Sequence, residues 1–228
     1  MRKSETIAGA MSSGVPVTVD VVRFDRKPQG GEIGGITRRL QAGGHTVLGP
    51  EQFAQAVADG RTWVGACYEP CSGGWGEFVG QRLFGLDFDN DTPILDERGK
   101  PKKDDKGHVL KRQLLPDEAG YLDPWRAIDR CAELFGSKPL VMYPSFRFRF
   151  GGTEADRWST ETRMKFRLVL DAGEFVTDEQ RARGVAAKLL RAFPESDKRC
   201  SNNNRLYFGS CGKAVAYIEG GPLYVRRS

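Results

Sequence analysis

The chain has 228 residues, of which 39% are hydrophobic and 29% charged, as is usual for a globular domain. No apolar run approaches the ~18 residues of a membrane-spanning helix, and the first residues lack the apolar stretch of a signal peptide, so we expect a cytoplasmic protein without a membrane partner. The formal net charge of +5 permits nucleic-acid binding but does not establish it.

The first half of the chain alternates apolar segments with turns. Residues 1–14 are expected to be disordered, and residues 27–35 (KPQGGEIGG) to form a loop. Runs of β-branched residues and one helical repeat predict four elements, which are strands at 15–24, 62–69 and 81–90 and a helix at 51–60. The polar segment 91–120, with its prolines and glycines, is expected to be a long surface excursion or a β-hairpin.

The second half adds two helices with clear boundary signals. One is predicted over 123–136, with Asp123 as its N-cap, and the other over 178–193, capped by Thr177. Four further strands are predicted, at 139–150, 162–171, 205–210 and 214–219, the last two as a candidate hairpin. This order of elements indicates an α+β fold with a central antiparallel or mixed sheet and helices packed on one side.

The five cysteines are Cys67, Cys71, Cys131, Cys200 and Cys211. An odd count without a secretion signal argues against a disulfide framework. A four-cysteine zinc site is conceivable. Buried thiols are the favoured alternative, because neither neighbouring pair has C-x2-C spacing.

Asp87 and Asp89 give the strongest chemical signal. Residues two apart on a strand point to the same face, so LFGLDFDN would project two carboxylates side by side from a strand end. Like charges at that separation repel each other, and Mg²⁺ or Mn²⁺ relieves the repulsion. Ordinary surface acids are the alternative. Asp197, between a helix and a polar run, is a candidate third acid or a simple loop acid.

Basic residues concentrate between Phe146 and Arg167. In SFRFRF they alternate with phenylalanine, so Arg147 and Arg149 would share one face of an extended segment and the phenylalanines the other. The pattern favours a cationic binding face, and a solvated strand face is the alternative.

Four ordered blocks, LFGLDFDN, VMYPSFRF, KFRLVL and AFPESDKRCSNNNRLYFGS, together resemble the archaeo-eukaryotic primase superfamily. They are most similar to the primase-polymerase domains of replication proteins from bacterial plasmids, integrative elements and phages. The resemblance runs from about Gly60 to Ser210, roughly two-thirds of the chain. It implies a single domain over 15–228, with an N-terminal α/β unit at about 15–80 and an RNA-recognition-like catalytic module at about 81–220.

The resemblance also implies roles for individual residues. Asp87 and Asp89 match the first motif and Asp197 the acid of the third, so these three are the expected catalytic ligands of Mg²⁺ or Mn²⁺. Three matching basic residues are expected to face phosphates, namely Lys165, Arg167 and Arg205. The implied reaction is attack of a 3′-hydroxyl on the α-phosphate of a nucleoside triphosphate, directed by a single-stranded DNA template. A helicase domain or subunit is a candidate partner, because mobile-element relatives often carry one.

One departure from the family pattern concerns its second motif, which normally ends in a histidine. Both histidines of this chain lie elsewhere, and Phe148, or Phe146 in a different register, stands where the histidine is expected. Ser145, Arg147 and Arg149 are therefore the candidates for phosphate contact in this block. A catalytically weak or inactive module that binds single-stranded or origin DNA is the alternative function. A metal-dependent nuclease is a third, disfavoured because no glutamate or lysine of a nuclease-like motif follows Asp89 closely.

Overall fold

The computed structural model describes residues 14–146, 165–210 and 216–217. Its helices and strands, in chain order, are β1 (Val15–Val19), α1 (Gly31–Gly43), β2 (Thr46–Leu48), α2 (Pro50–Ala58), β3 (Trp63–Val64), β4 (Ala66–Tyr68), β5 (Phe78–Phe88), β6 (Asp91–Pro93), β7 (Lys111–Gln113), α3 (Pro124–Phe135), β8 (Val141–Pro144), β9 (Phe166–Val176), α4 (Glu179–Ala192), a 3-10 helix (Lys198–Ser201) and β10 (Ala216–Tyr217).

The described strands form three antiparallel sheets. The largest has the order β10-β8-β9-β5-β4, a smaller one has the order β2-β1-β3, and β6 pairs with β7. The α+β class is therefore confirmed, and the excursion at 91–120 contains the β6–β7 hairpin. None of the helices in the described part of the chain is long and apolar enough to cross a membrane.

The strand predicted at 62–69 is present, but Gly65 divides it between two sheets. β3 pairs with β1 in the smaller sheet, and β4 pairs with β5 in the larger one. A Cβ atom at Gly65 would lie 2.2 Å from the carbonyl oxygen of Leu83, so only glycine permits this close approach. The chain thus passes directly from one sheet into the other at this residue.

Helix boundaries follow the sequence signals closely, with one correction. Asp123 accepts hydrogen bonds from two backbone N–H groups at the start of α3, and Gly136 ends that helix with a φ of 69°. Helix α4 is capped by Asp178, whose carboxylate accepts from the N–H of Arg181. The prediction that Thr177 caps it is wrong by one residue, because Asp178 is the residue whose side chain reaches that N–H.

The loop predicted at 27–35 is wrong from Gly31 onward, where α1 begins. The glycines of this segment hide the helical spacing of Ile36 and Leu40, the two residues that α1 buries. The strand predicted to reach residue 24 ends at Val19. The next residue, Asp20, is buried and pairs with Arg39 of α1 at 2.7 Å, which directs the chain away from the sheet.

The C-terminal hairpin prediction is also wrong. Residues 205–210 contain no named strand, and Tyr207 instead exchanges two backbone hydrogen bonds of 2.9 Å with Trp63. β10 pairs with β8 rather than with this segment. Residues 1–13 of the predicted disordered N-terminus, and the parts of the predicted strands at 147–150, 162–164, 214–215 and 218–219, lie outside the described residues.

The centre of the large sheet sorts its side chains by face. Phe88 and Phe166 lie directly opposite each other on β5 and β9, and their rings stack at 4.6 Å. Phe193, at the end of α4, contacts the Phe88 ring edge-on, so this face is the one covered by helix. Asp87 and Arg167 are also paired across β5 and β9, and alternation turns them to the opposite face. The functional candidates therefore lie on the face that α4 does not cover.

Candidate functional site

An open cleft of about 450 Å³ lies over this face of the sheet, and we call it the central cleft. Its charged lining residues come from six separated parts of the sequence. They are Lys27, Asp87, Asp89, Asp91, Lys111, Lys165, Arg167, Asp197, Arg199 and Arg205. Basic side chains outnumber carboxylates in this set, so the described lining has a net positive charge, which suits a polyanionic ligand.

Asp87 is a buried residue of the cleft, with 8% of its surface exposed. Arg205 Nη2 donates to its Oδ2 at 2.9 Å. Arg167 Nε lies 3.1 Å from its Oδ1, in an orientation that does not make a hydrogen bond. Arg167 is itself fixed by donating to the carbonyl of Phe208 at 2.8 Å. Two arginines thus neutralise one nearly buried aspartate.

Asp197 joins the same cluster from a distant part of the chain. Its Oδ2 accepts from Arg205 Nη2 at 3.0 Å, so one nitrogen atom bridges Asp87 and Asp197. Burial acts to raise the pKa of Asp197, but hydrogen bonds from Arg199 and the charge of Arg205 outweigh it and lower the pKa to about 2. Asp197 is therefore an anion at neutral pH.

Asp89 belongs to a second cluster of charged side chains in the cleft. Lys165 Nζ donates to Asp89 at 2.8 Å and to Asp91 at 2.6 Å, and Lys111 Nζ donates to Asp91 at 2.7 Å. Burial acts to raise the pKa of Asp89, and the hydrogen bond and charge of Lys165 outweigh it, so this pKa lies below its usual range. The two carboxylates share one ammonium group.

Asn90 sets the direction in which Asp91 leaves β5. Its φ is 46°, a left-handed conformation that asparagine tolerates better than most residues. Its side-chain amide donates to the carbonyl of Leu122 at 2.9 Å and accepts from the N–H of Leu122 at 3.0 Å. These two hydrogen bonds hold the turn, and they explain why Asp91 reaches Lys165 although it lies beyond the end of the strand.

Three aromatic side chains support the arginines of the cleft. The Arg205 guanidinium lies 5.6 Å from the ring centroid of Tyr207, and that of Arg167 lies 5.7 Å from the ring centroid of Tyr143. Trp63 connects the two tyrosines, because its ring stacks on Tyr207 at 4.6 Å and its Nε1 donates to the hydroxyl of Tyr143 at 2.9 Å. The wall behind the cleft is thus a continuous buried aromatic layer.

Tyr207 requires a glycine beneath it. Its hydroxyl donates to the carbonyl of Gly85 at 2.7 Å, and a Cβ atom at Gly85 would lie 2.5 Å from the tyrosine ring. Gly85, two residues before Asp87 in LFGLDFDN, therefore leaves the space that the Tyr207 ring occupies. The sequence alone gives no sign of this contact.

All of the sequence-predicted site residues that the structure describes line the central cleft, including Ser145, whose buried hydroxyl has no hydrogen-bond partner among the described residues. Arg147 and Arg149 lie outside the described residues. Four charged residues of the cleft were missed, namely Lys27, Asp91, Lys111 and Arg199. Asp91 alone had a visible signal, because it continues the two-residue spacing of Asp87 and Asp89.

The donor chemistry of the cleft suits a hard divalent cation. Carboxylate oxygens are the ligands that Mg²⁺ and Mn²⁺ prefer, and Asp87 Oδ1 is buried without a hydrogen bond. Within residues 14–146 and 165–210, however, no three acidic, histidine or cysteine side chains are grouped as a metal site in this conformation. The reason is visible in the ion pairs, because an arginine or lysine holds each of the three predicted ligands.

Three of the five cysteines are buried in the packing of the domain. Cys67, Cys131 and Cys200 are buried free thiols, and burial raises the pKa values of Cys67 and Cys131 to about 12. Cys71 is a partly exposed free thiol, and Cys211 lies outside the described residues. These observations favour the interpretation of the cysteines as buried thiols.

Comparisons of this chain with models of protein families, with curated proteins and with solved structures found no match.

Proposed function

We propose that the chain is a metal-dependent nucleotidyltransferase, the primase-polymerase domain of a mobile-element replication protein. The observation that carries the proposal is the single bridge from Arg205 to both Asp87 and Asp197. Two acids predicted from separate motifs lie beside the same guanidinium in the central cleft. Asp89 lines the same cleft, as the proposal requires.

The proposed reaction joins a 3′-hydroxyl to the α-phosphate of a nucleoside triphosphate. Asp87, Asp89 and Asp197 would hold Mg²⁺ or Mn²⁺, which when bound lowers the pKa of the attacking hydroxyl and offsets the charge of the leaving pyrophosphate. Arg167 and Arg205 would present their planar donors to phosphate oxygens, and Lys165 a point charge. Each of these three basic side chains pairs with a carboxylate in the structure. Binding of substrate would therefore replace a carboxylate partner with a phosphate group.

The proposed architecture is the two-module primase fold. The large sheet with α3 and α4 would be the RNA-recognition-like module, and the smaller sheet with α1 and α2 the N-terminal unit. Lys27, between β1 and α1, lines the central cleft together with Asp87 of β5, which supports a cleft shared by both units.

The test is primer synthesis on single-stranded DNA with Mg²⁺ or Mn²⁺. We expect Asp87→Asn and Asp197→Asn each to reduce nucleotide incorporation at least about 100-fold, since each would remove a charged ligand of the metal ion that acts on the reacting phosphates. Asp178→Asn is the matched control, because Asp178 caps α4 and does not line the cleft. Incorporation that persists in both cleft variants, or that needs no divalent metal, would refute the proposal.

A second candidate is a non-catalytic module that binds single-stranded or origin DNA. The observation that favours it is the full pairing of Asp87, Asp89 and Asp197 with arginine or lysine. In such a protein these ion pairs would be permanent and structural. DNA binding that is undiminished in Asp87→Asn, together with no incorporation by the wild type, would support this candidate.

A further inference from the structure

The hairpin that follows the acidic strand continues far beyond β6 and β7. All residues from 97 to 112 are exposed, and backbone hydrogen bonds fold residues 94–110 into a small three-stranded meander. We call residues 91–113 the arm. It has a defined backbone although its outer part buries almost no side chains, so its shape comes from hydrogen bonds and turns.

Two turns of the same kind shape the tip of the arm. Asp96 Oδ1 accepts from the N–H of Lys100 at 2.8 Å, and Gly99 has a φ of 74°. The second turn repeats the pattern, because Asp104 Oδ1 accepts from the N–H four residues later at 2.8 Å and Gly107 has a φ of 80°. Aspartate and glycine are the residues that such turns need. The two turns fix the positions of the basic residues between and beside them.

Basic side chains dominate this exposed part of the arm. Five of them form no ion pair within the described part of the chain, namely Arg98, Lys100, Lys102, Lys103 and Lys106. Two of the acids that accompany them, Asp96 and Asp104, are already engaged by backbone N–H groups. Over residues 91–113 the arm carries seven basic residues against five acidic ones, a net charge of +2, and its five basic side chains without an ion pair are all exposed.

The arm also has distinct faces. Leu95 pairs directly with Pro101, and Lys103 with Val109, so these four side chains lie on one face. Lys100 and Lys102 point to the other face by alternation. Leu95 is 54% exposed and Val109 40% exposed. One face thus combines apolar groups with Lys103, and the other face carries Lys100 and Lys102 together with Asp96 and Asp104.

The base of the arm belongs to the central cleft. Asp91 and Lys111 begin β6 and β7, and both line the cleft beside Lys165. A polyanionic chain that leaves the cleft on this side would run along the arm. Lysines that extend from a cleft wall, interleaved with apolar side chains, match the phosphates, sugars and bases of a single strand.

We propose that the arm binds the phosphate backbone of the single-stranded nucleic acid that occupies the central cleft. The proposal deepens the proposed function, since it names the surface that holds the template. It concerns binding alone, so it can be measured without metal or nucleotide.

The experiment compares two triple variants that remove the same charge. One is Lys100→Gln/Lys102→Gln/Lys103→Gln on the arm, and the control is Arg183→Gln/Lys188→Gln/Arg191→Gln on the exposed face of α4. Binding of a fluorescent oligothymidine is measured by anisotropy over a salt series. We expect the arm variant to lose at least about 10-fold in affinity at low salt and to reduce the slope of log K against log salt by about 2, since each phosphate contact on a single strand contributes about 0.7.

A second variant removes the arm. Pro93 and Lys111 are direct partners, so an Asn-Gly turn can replace residues 94–110. This variant should reproduce the loss, and its thermal unfolding reports whether the domain remains intact. If it does not fold, the triple variant decides, because all of its changes are on exposed side chains.

Three outcomes would overturn the proposal. Equal losses in the arm and α4 variants would indicate a general charge effect. Unchanged oligothymidine binding in the arm variant would mean that the arm serves another partner, such as a protein. A loss seen only with duplex DNA would contradict the assignment to a single strand. Failure of the proposed enzymatic function would be distinguishable from these outcomes. The wild type would then bind oligothymidine but incorporate no nucleotide.

Discussion

The backbone N–H of Asp197 donates a hydrogen bond of 2.8 Å to the backbone carbonyl of Asp87. This bond ties the loop after α4 to the end of β5, so the position of the third acid does not depend on its own side chain alone. Asp197 also caps the 3-10 helix by accepting from the N–H of Arg199. Substitution of Asp197 by asparagine should therefore leave the loop in place and remove only the charge.

This leads to a prediction on pH. The pKa of Asp197 in the folded protein is about 2, against a usual value of 3.8, so its ionised form stabilises the fold at all pH values above about 4. That stabilisation is lost as the pH falls from about 4 towards 2, because the unfolded chain then takes up the proton more readily. We expect the difference in free energy of unfolding between wild type and Asp197→Asn to be constant from pH 7 to about 5 and to shrink below about 4.

Urea denaturation at a series of pH values measures that difference. Asp178→Asn is a suitable control, since it also replaces a helix-capping aspartate away from the cleft. A difference that stays constant down to pH 2 would show that the Asp197 charge contributes nothing to stability.

Arg205 should compete with a metal ion for Asp87 and Asp197. Its Nη2 occupies one oxygen of each carboxylate, and 15% of its side chain is exposed. We expect Arg205→Gln to destabilise the protein by about 3 kcal/mol without metal, because it leaves two nearly buried carboxylates without their shared partner. Mn²⁺ should restore more stability to this variant than to the wild type.

The same variant should bind nucleotide more weakly. If Arg205 contacts phosphate during the reaction, the Michaelis constant for nucleotide should rise about 10-fold, which corresponds to the loss of about 1.4 kcal/mol. Thermal unfolding with and without Mn²⁺, and incorporation kinetics, give the two readouts. Arg205→Lys separates charge from geometry, because lysine retains the charge without the planar donors. Weaker Mn²⁺ binding in Arg205→Gln would contradict the competition.

Asn90 should stabilise the turn that follows β5 and should have no direct role in the proposed reaction. Asn90→Ala removes both hydrogen bonds to Leu122 and leaves an alanine at a φ of 46°, which alanine tolerates less well than asparagine. We expect a loss of about 2–4 kcal/mol in the free energy of unfolding. Asn90→Gly loses the hydrogen bonds but adopts this φ readily, so its loss should be about 1 kcal/mol smaller. Chemical denaturation of the two variants checks the order, and a larger loss for glycine would refute it.

Arg147 or Arg149 is predicted to replace the missing second-motif histidine, and both lie outside the described residues. An arginine there is always charged, so incorporation should show no acid limb near pH ~6.5. Single alanine substitutions should raise the Michaelis constant for nucleotide. If neither does so, while single-strand affinity falls with a shallower salt slope, these arginines hold template and the inactive-polymerase alternative gains support.

Local sequence signals predicted the elements whose stability is decided locally. The capping aspartate and terminal glycine of α3 predicted its bounds to the residue, and the apolar segment before Asp87 predicted a buried strand that runs into acids. These signals act within a few residues of the chain, so a single sequence contains them in full. Helix α1 was missed because its glycines weaken the same kind of signal.

Long-range packing decided the rest. Nothing near residue 205 in the sequence indicates that Arg205 bridges Asp87 and Asp197, or that Tyr207 pairs with Trp63 instead of forming a hairpin strand. These contacts join segments that become neighbours only when β5 and β9 pair and α4 covers one face of the sheet. The sequence by itself determined which acids and bases are available, and the tertiary structure decided which of them meet, because burial on one face leaves the other face to collect the charges.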